Sequence, residues 1–251
     1  MIDEQTLDEK LAPQRFVDDF VWAARALRAQ PSVAMVSAAL WVVPVVVSWA
    51  RTVNPYFVLA WLVITPIYFG WFGAERLFFL RQREEKKTTL RELVVAARLY
   101  AGRFFRLGVL VSLGLIPVWL IFIATLQYHS PTHSSLGTSQ RIMTIASIVL
   151  IDLVLTFVPS ALVFTTRSTR EALRIGWSMI RETWPRSGLY VLCPPLALNV
   201  LSTIYPTHTQ ALQIAKMVGV SLLALVAKGA TAAFYLRERS ASLDLPSSPA
   251  P

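Results

Sequence analysis

The chain has 251 residues, 55% of them hydrophobic and 16% charged, with a mean hydropathy of +0.52. Soluble domains carry about 25% charged residues, so this composition belongs to the membrane class. Ten glycines and 15 prolines exclude a collagen-like or low-complexity chain, and the single Cys193 excludes an internal disulfide. The net charge of +9 would favour nucleic acid on a soluble protein, but its meaning depends on where the charges lie.

Six stretches approach the roughly 20 apolar residues needed to cross a bilayer. They are 31–50, 55–74, 107–126, 142–166, 188–205 and 211–236. A cytoplasmic arm, 1–13, precedes the membrane domain 14–238, and a flexible Ser/Pro-rich cytoplasmic tail, 239–251, follows it. The segment before the first span holds six acids (Asp3, Glu4, Asp8, Glu9, Asp18, Asp19), which is not the basic start of a cleaved signal.

Before the first span, Phe16, Phe20, Ala23, Ala24 and Leu27 share one face of a predicted amphipathic helix, with Arg15, Asp18 and Arg25 opposite. The polar break Arg51–Asn54 separates spans one and two. A basic connection follows, 75–106, in which Leu90, Leu93, Val94, Ala97, Ala101, Phe104 and Phe105 align at helical spacing. Arg91, Arg98, Arg103 and Arg106 form its basic side. After spans three and four, Leu173, Trp177, Ile180 and Trp184 define a third amphipathic helix, with Arg174 and Arg181 on its polar side. Thr89-x-x-Glu92 and Ser168-x-x-Glu171 have capping-box spacing at the starts of the second and third. Pro194 and Pro195 interrupt span five, the shortest, and 206–209 breaks the chain before span six.

Twenty of the 24 Lys and Arg residues fall on one side of these spans. The positive-inside rule then places both termini in the cytoplasm of a bacterial inner membrane, with Trp22, Trp71, Trp177 and Trp184 near the inner boundary. The charge is thus a topology signal and a contact with anionic lipid headgroups, and it gives no independent support to nucleic-acid binding.

Offsets predict a pseudo-threefold parallel repeat. Ala24-Arg25 recurs as Ala97-Arg98 and Pro44 as Pro117, both 73 residues on; Arg98 recurs as Arg174 after 76 and Pro117 as Pro194 after 77. The expected fold is all-α: six transmembrane helices as three hairpins, each preceded by a cytoplasmic amphipathic helix.

The run Arg170-Glu-Ala-Leu-Arg-Ile-Gly-Trp-Ser-Met-Ile-Arg-Glu-Thr-Trp-Pro-Arg-Ser-Gly-Leu-Tyr-Val-Leu192 and the segment Ala230-Thr-Ala-Ala-Phe-Tyr-Leu-Arg-Glu-Arg239 resemble a bacterial six-helix membrane family. That family is similar to the membrane domain of glycerophosphodiester phosphodiesterases and to related stand-alone integral membrane proteins. The catalytic domain of those phosphodiesterases, with its acidic metal ligands, has no counterpart here, and the resemblance implies no catalytic residue. Separately, Glu171-Ala172-x-x-x-Gly176 resembles the coupling loop Glu-Ala-Ala-x-x-x-Gly of ABC permeases. Its glycine comes one residue early, and Leu173 replaces the second alanine.

Candidate polar chemistry lies inside the spans. Asp152 falls about 15 Å and Lys216 about 7–8 Å below the outer boundary, with Asn199 near the level of Lys216. An intramembrane charge costs at least about 2.5–3.5 kcal/mol, so Asp152, Asn199 and Lys216 are a candidate polar cluster. It is either a structural pair that fixes helix packing or a proton or solute site. Lys228 is expected to extend towards the cytoplasmic surface. His129, His133 and His208 fall in outward loops and suit solvent better than a metal. No nucleophile–base pair, phosphate loop or dinucleotide fingerprint occurs. The expectation is a non-enzymatic scaffold or accessory subunit without a cofactor, whose partners are anionic lipid and a protein or larger membrane complex. The alternative is a transporter or transporter component using the polar cluster.

Overall fold

The computed structural model describes residues 4–54, 56, 59–129, 151, 155–204 and 209–244. Among these residues the regular structure is all helical, in eight helices: α1 (Glu4–Ala29), α2 (Pro31–Val53), α3 (Ala60–Arg83), α4 (Leu90–His129), α5 (Val158–Phe164), α6 (Thr169–Thr183), α7 (Arg186–Ile204) and α8 (Gln210–Asp244).

Local sequence sets most of the boundaries. Pro31 starts α2, where its missing N–H costs nothing, and α1 and α2 meet at Gln30 with a bend of 98°. Gln30 is held in that elbow by its side chain, which donates to the Thr88 carbonyl and accepts from Gln82 Nε2 at 3.4 Å. Helix α3 ends in a Schellman arrangement: Lys86 N donates to Arg81 O at 2.8 Å and Glu85 N to Gln82 O at 3.2 Å. Both capping boxes supply the N-terminal bond expected of them. Thr89 Oγ1 accepts from Glu92 N at 3.3 Å, and Ser168 Oγ accepts from Glu171 N at 3.5 Å.

The amphipathic segments differ from expectation in how they join the spans. The second does not end at 106; α4 runs unbroken for 40 residues through Pro117. The third is a separate helix, with Trp184-Pro185 between α6 and α7. Thr156 and Phe157 break the helix expected across 142–166, of which 142–150 and 152–154 lie outside the described residues. The last helix continues to Asp244, six residues into the segment whose composition predicts flexibility.

Helix α8 is the central strut. It packs along α1, α2, α3 and α7 and supplies residues to both apolar clusters of the interior. One cluster gathers Phe157, Val158, Tyr190, Val191, Phe234 and Tyr235; the other gathers Ala23, Val33, Trp71, Phe78, Phe79 and Leu93. The most extensive helix pair is α3 with α4.

Three glycines mark close approaches. A Cβ on Gly229 of α8 would stand 2.7 Å from Ala23 Cβ of α1, and one on Gly176 of α6 would stand 2.7 Å from Val158 Cγ2 of α5. One on Gly70 of α3 would collide with the Ala97 carbonyl of α4. Small residues let helices approach in this way inside membranes as well as in water.

One helical segment, Ala211–Ser240, is by itself long and apolar enough to cross a membrane among the described residues.

Candidate functional site

Glu75 and Arg76 interrupt an otherwise apolar run in α3, with Trp71 to Ala74 before them and Leu77 to Leu80 after. Because apolar packing continues on both sides, the two charges are carried inside with it. Glu75 is 1% and Arg76 6% exposed. Glu75 Oε2 accepts from Lys228 Nζ of α8 at 2.6 Å. The Lys228 ammonium also lies 4.1 Å from the centre of the Phe72 ring and 5.7 Å from that of Trp41, so aromatic faces replace part of its hydration. Lys228, expected to extend towards the cytoplasmic surface, places its ammonium on Glu75, one residue past the predicted inner end of span two. A carboxylate within reach makes the buried pair better than stretching the stem to water.

Arg76 is left differently. Its Nε and Nη1 are buried without a hydrogen-bond partner. It lines a cavity of about 480 Å³ between α2, α3, α4, α7 and α8. The wall is mostly apolar, with Trp41, Phe72, Leu107, Val111, Leu155 and Leu198 around the charged end formed by Arg76 and Lys228.

A second buried network ties the first helix to the last. Asp19, 6% exposed, accepts from Tyr190 Oη at 2.6 Å and from Arg237 Nη1 at 3.0 Å, while Arg237 Nη2 reaches Tyr190 Oη at 3.4 Å. Burial alone would lower the pKa of Arg237. The hydrogen bonds to Tyr190 and Asp19 outweigh it, and the guanidinium is held above its usual value. This network is structural glue between α1, α7 and α8, with Arg237 Nε as its one buried atom lacking a partner.

The residues singled out from the sequence are distributed otherwise. Asp152 lies outside the described residues, Asn199 is placed within α7 by its backbone, and Lys216 is half-buried on α8. The trio as a whole therefore lies outside the described residues. His129 ends α4, while His133 and His208 lie outside the described residues. Of the basic residues expected to face lipid or a partner, Arg91, Arg98, Arg106, Arg174 and Arg181 are exposed. Arg103 turns inward instead: its Nη1 donates to Leu162 O at 3.4 Å, and its guanidinium lies 5.3 Å from the Tyr100 ring centre.

The tryptophans divide as well. Trp71 is buried and donates from Nε1 to Ser37 Oγ at 2.8 Å, so it is an interior residue and not part of an inner-boundary belt. On α6 the buried stripe is Ala172, Gly176, Met179, Ile180 and Thr183. Trp177 and the adjoining Trp184, expected near the inner boundary, are 54% and 55% exposed. Gly176 takes the packing role because the close Val158 contact admits no side chain.

Compared with protein-family models, with curated proteins and with solved structures, the chain finds no match.

Proposed function

We propose that the chain is an integral protein of the bacterial inner membrane, with six spans in three hairpins and both termini in the cytoplasm. It would act as a non-enzymatic scaffold or accessory subunit, contacting anionic lipid and a protein partner through its basic cytoplasmic face. One observation carries this reading: large apolar side chains are exposed in continuous bands. They include Leu62, Val63 and Ile67 on α3, and Val109, Leu110, Leu113, Ile116 and Leu120 on α4. A water-soluble monomer avoids exposed apolar patches of this extent, whereas lipid requires them. Exposed Arg91, Arg98 and Arg106 sit at the N-terminal part of the same α4 band, where anionic headgroups would meet them. The exposed Trp177 and Trp184 beside Arg174 and Arg181 give α6 the same interfacial character.

The threefold plan draws support from helix order. Each amphipathic segment packs on the helix of an even-numbered predicted span: α4 on α3 at Gly70, α6 on α5 at Gly176, and α1 on α8 at Gly229. Three such contacts in cyclic order are what a parallel repeat would produce, although the glycine sits on the span helix at Gly70 and Gly229 and on the amphipathic helix at Gly176. The resemblance to the membrane domain of glycerophosphodiester phosphodiesterases agrees with a membrane module that lacks its own catalytic centre.

Purification in mild detergent tests the scaffold reading. A protein partner should co-purify, and exchanging Arg91, Arg98, Arg174 and Arg181 for Glu should release it. Recovery as a partner-free monomer, with unchanged membrane complexes in a deletion strain, would refute it. The cavity beside Arg76 favours a second reading, a transporter component. Solute or proton flux in liposomes, lost in Asp152→Asn and Lys216→Met, would select it.

A further inference from the structure

The interior of the bundle holds an unbalanced positive charge beside an apolar hollow. Glu75, Arg76 and Lys228 carry a net charge of +1, and Glu75 is hydrogen-bonded to Lys228 rather than to Arg76. Two buried guanidinium nitrogens without a hydrogen-bond partner are costly, and such groups are normally paired with an anion. Here the space beside it is open. The cavity volume of about 480 Å³ lies within the roughly 300–1,000 Å³ of ordinary ligand pockets. It would hold about 16 groups the size of a water molecule.

Its shape of polarity is one-ended. Arg76 lies two residues beyond the predicted inner end of span two, at headgroup depth. Lys228 lies eight residues, or about 12 Å, inside the predicted end of span six. Past these charges the lining is apolar, through Leu107, Val111, Leu155 and Leu198. Exposed Ser112 stands at the rim. A small hydrophilic anion would satisfy Arg76 but leave that wall against water. A neutral hydrocarbon would fill the wall and leave Arg76 unpaired.

We propose that this cavity binds a single-chain amphiphile with a carboxylate or phosphate head, the head on Arg76 and the tail along the α4–α7 wall. A fatty acid or a lysophospholipid of the inner leaflet has this chemistry. Lys228 adds long-range attraction while staying on Glu75, and the ligand completes the charge balance of the interior. The proposal rests on the membrane reading above, and its test separates the two.

The full chain is first extracted with alkaline carbonate. Release from the membrane overturns the membrane reading and this proposal with it. Retained protein is reconstituted in phosphatidylcholine nanodiscs and titrated with 2-bromododecanoate, whose bromine sits beside the head and quenches indole on contact. Quenching should saturate, and the saturable part should vanish in Trp41→Phe. In Arg76→Gln the apparent Kd should weaken at least tenfold. The methyl ester of the probe should show no saturable phase, and dodecyl phosphate should displace the acid where millimolar inorganic phosphate does not.

Displacement by inorganic phosphate as effective as that by dodecyl phosphate would overturn the amphiphile in favour of a free anion. Quenching that rises linearly and equally in wild type, Trp41→Phe and Arg76→Gln would be partition into the bilayer, and would overturn the site while leaving the membrane reading intact. Should Arg76→Gln fail to fold, Ser112→Phe narrows the rim without touching a charge. Weakened binding in that variant supports the site, and wild-type binding overturns it.

Discussion

Glu75 and Lys228 are separated by 153 positions in sequence, yet their side chains, 2% and 14% exposed, share a 2.6 Å contact. A buried ion pair need not add stability over apolar residues of the same size, but removing one partner strands the other. Lys228→Met should therefore cost about 3–5 kcal/mol, and Glu75→Gln a comparable amount. The double variant should recover most of the loss. Thermal unfolding in detergent reads all three; equal losses in the single and double variants would mean that the pair does not act as a unit. Glu85 is a residue of another kind. At the α3 C-terminus it adopts φ 56°, a left-handed conformation that favours glycine. Its carboxylate also faces the negative end of the helix. Glu85→Gly should stabilise by about 1 kcal/mol, visible as a raised Tm.

Among elements, the glycine contacts decide which helices can touch. A β-branched side chain at Gly229 would meet the Phe79 ring at 2.5 Å and Ala23 Cβ at 2.7 Å, so α8 would have to retreat from α1 and α3 together. Gly229→Val should destabilise by about 1–3 kcal/mol or more, the usual cost of overpacking. Gly219→Val, on the same helix with open space around it, should change little. Similar Tm losses in both would trace the effect to helix propensity and not to packing. The apolar periodicity of the amphipathic segments was readable because α1, α4 and α6 each bury a stripe, as Ala23, Leu93 and Ile180 show. Periodicity does not mark Gly176 as the packing residue, although the close α5–α6 contact admits only glycine there and leaves the neighbouring Trp177 exposed. Asp19 was likewise read as part of an acidic arm. Nothing local announces that Tyr190 and Arg237 will meet it from 171 and 218 residues away.

For the whole molecule, the helical class follows from composition and periodicity, while the charged centre does not. Depth within isolated spans singles out Asp152, Asn199 and Lys216 as the intramembrane polar residues. Glu75 and Arg76 escaped because they sit just past a span end, where charge is usually solvated. The overlooked signal was the aromatic run Phe78-Phe79 after them, which keeps the segment apolar beyond the charges. Cys193 offers a test at this scale. It is exposed and lies in the fifth predicted span. If that surface faces hydrocarbon, a membrane-impermeant maleimide should leave it unlabelled in both right-side-out and inverted vesicles, and label it after unfolding in detergent. Mass spectrometry of the intact chain reads the adduct, and labelling in either vesicle population would put Cys193 in water.

Helix α8 is made last, yet it closes the packing of α1, α2 and α3 and carries the lysine for Glu75 and the arginine for Asp19. If the chain is the membrane protein proposed above, its earlier helices enter the bilayer during synthesis with Asp19 and Glu75 still unmatched. A nascent chain stopped before residue 210 would hold an open cleft lined by Glu75, Arg76 and the small faces of α1 and α3. Insertion of these helices is then provisional until the C-terminal segment arrives, and a quality-control protease would have the whole of that interval in which to act. Residues 210–244 thus decide whether the helices made before them are kept.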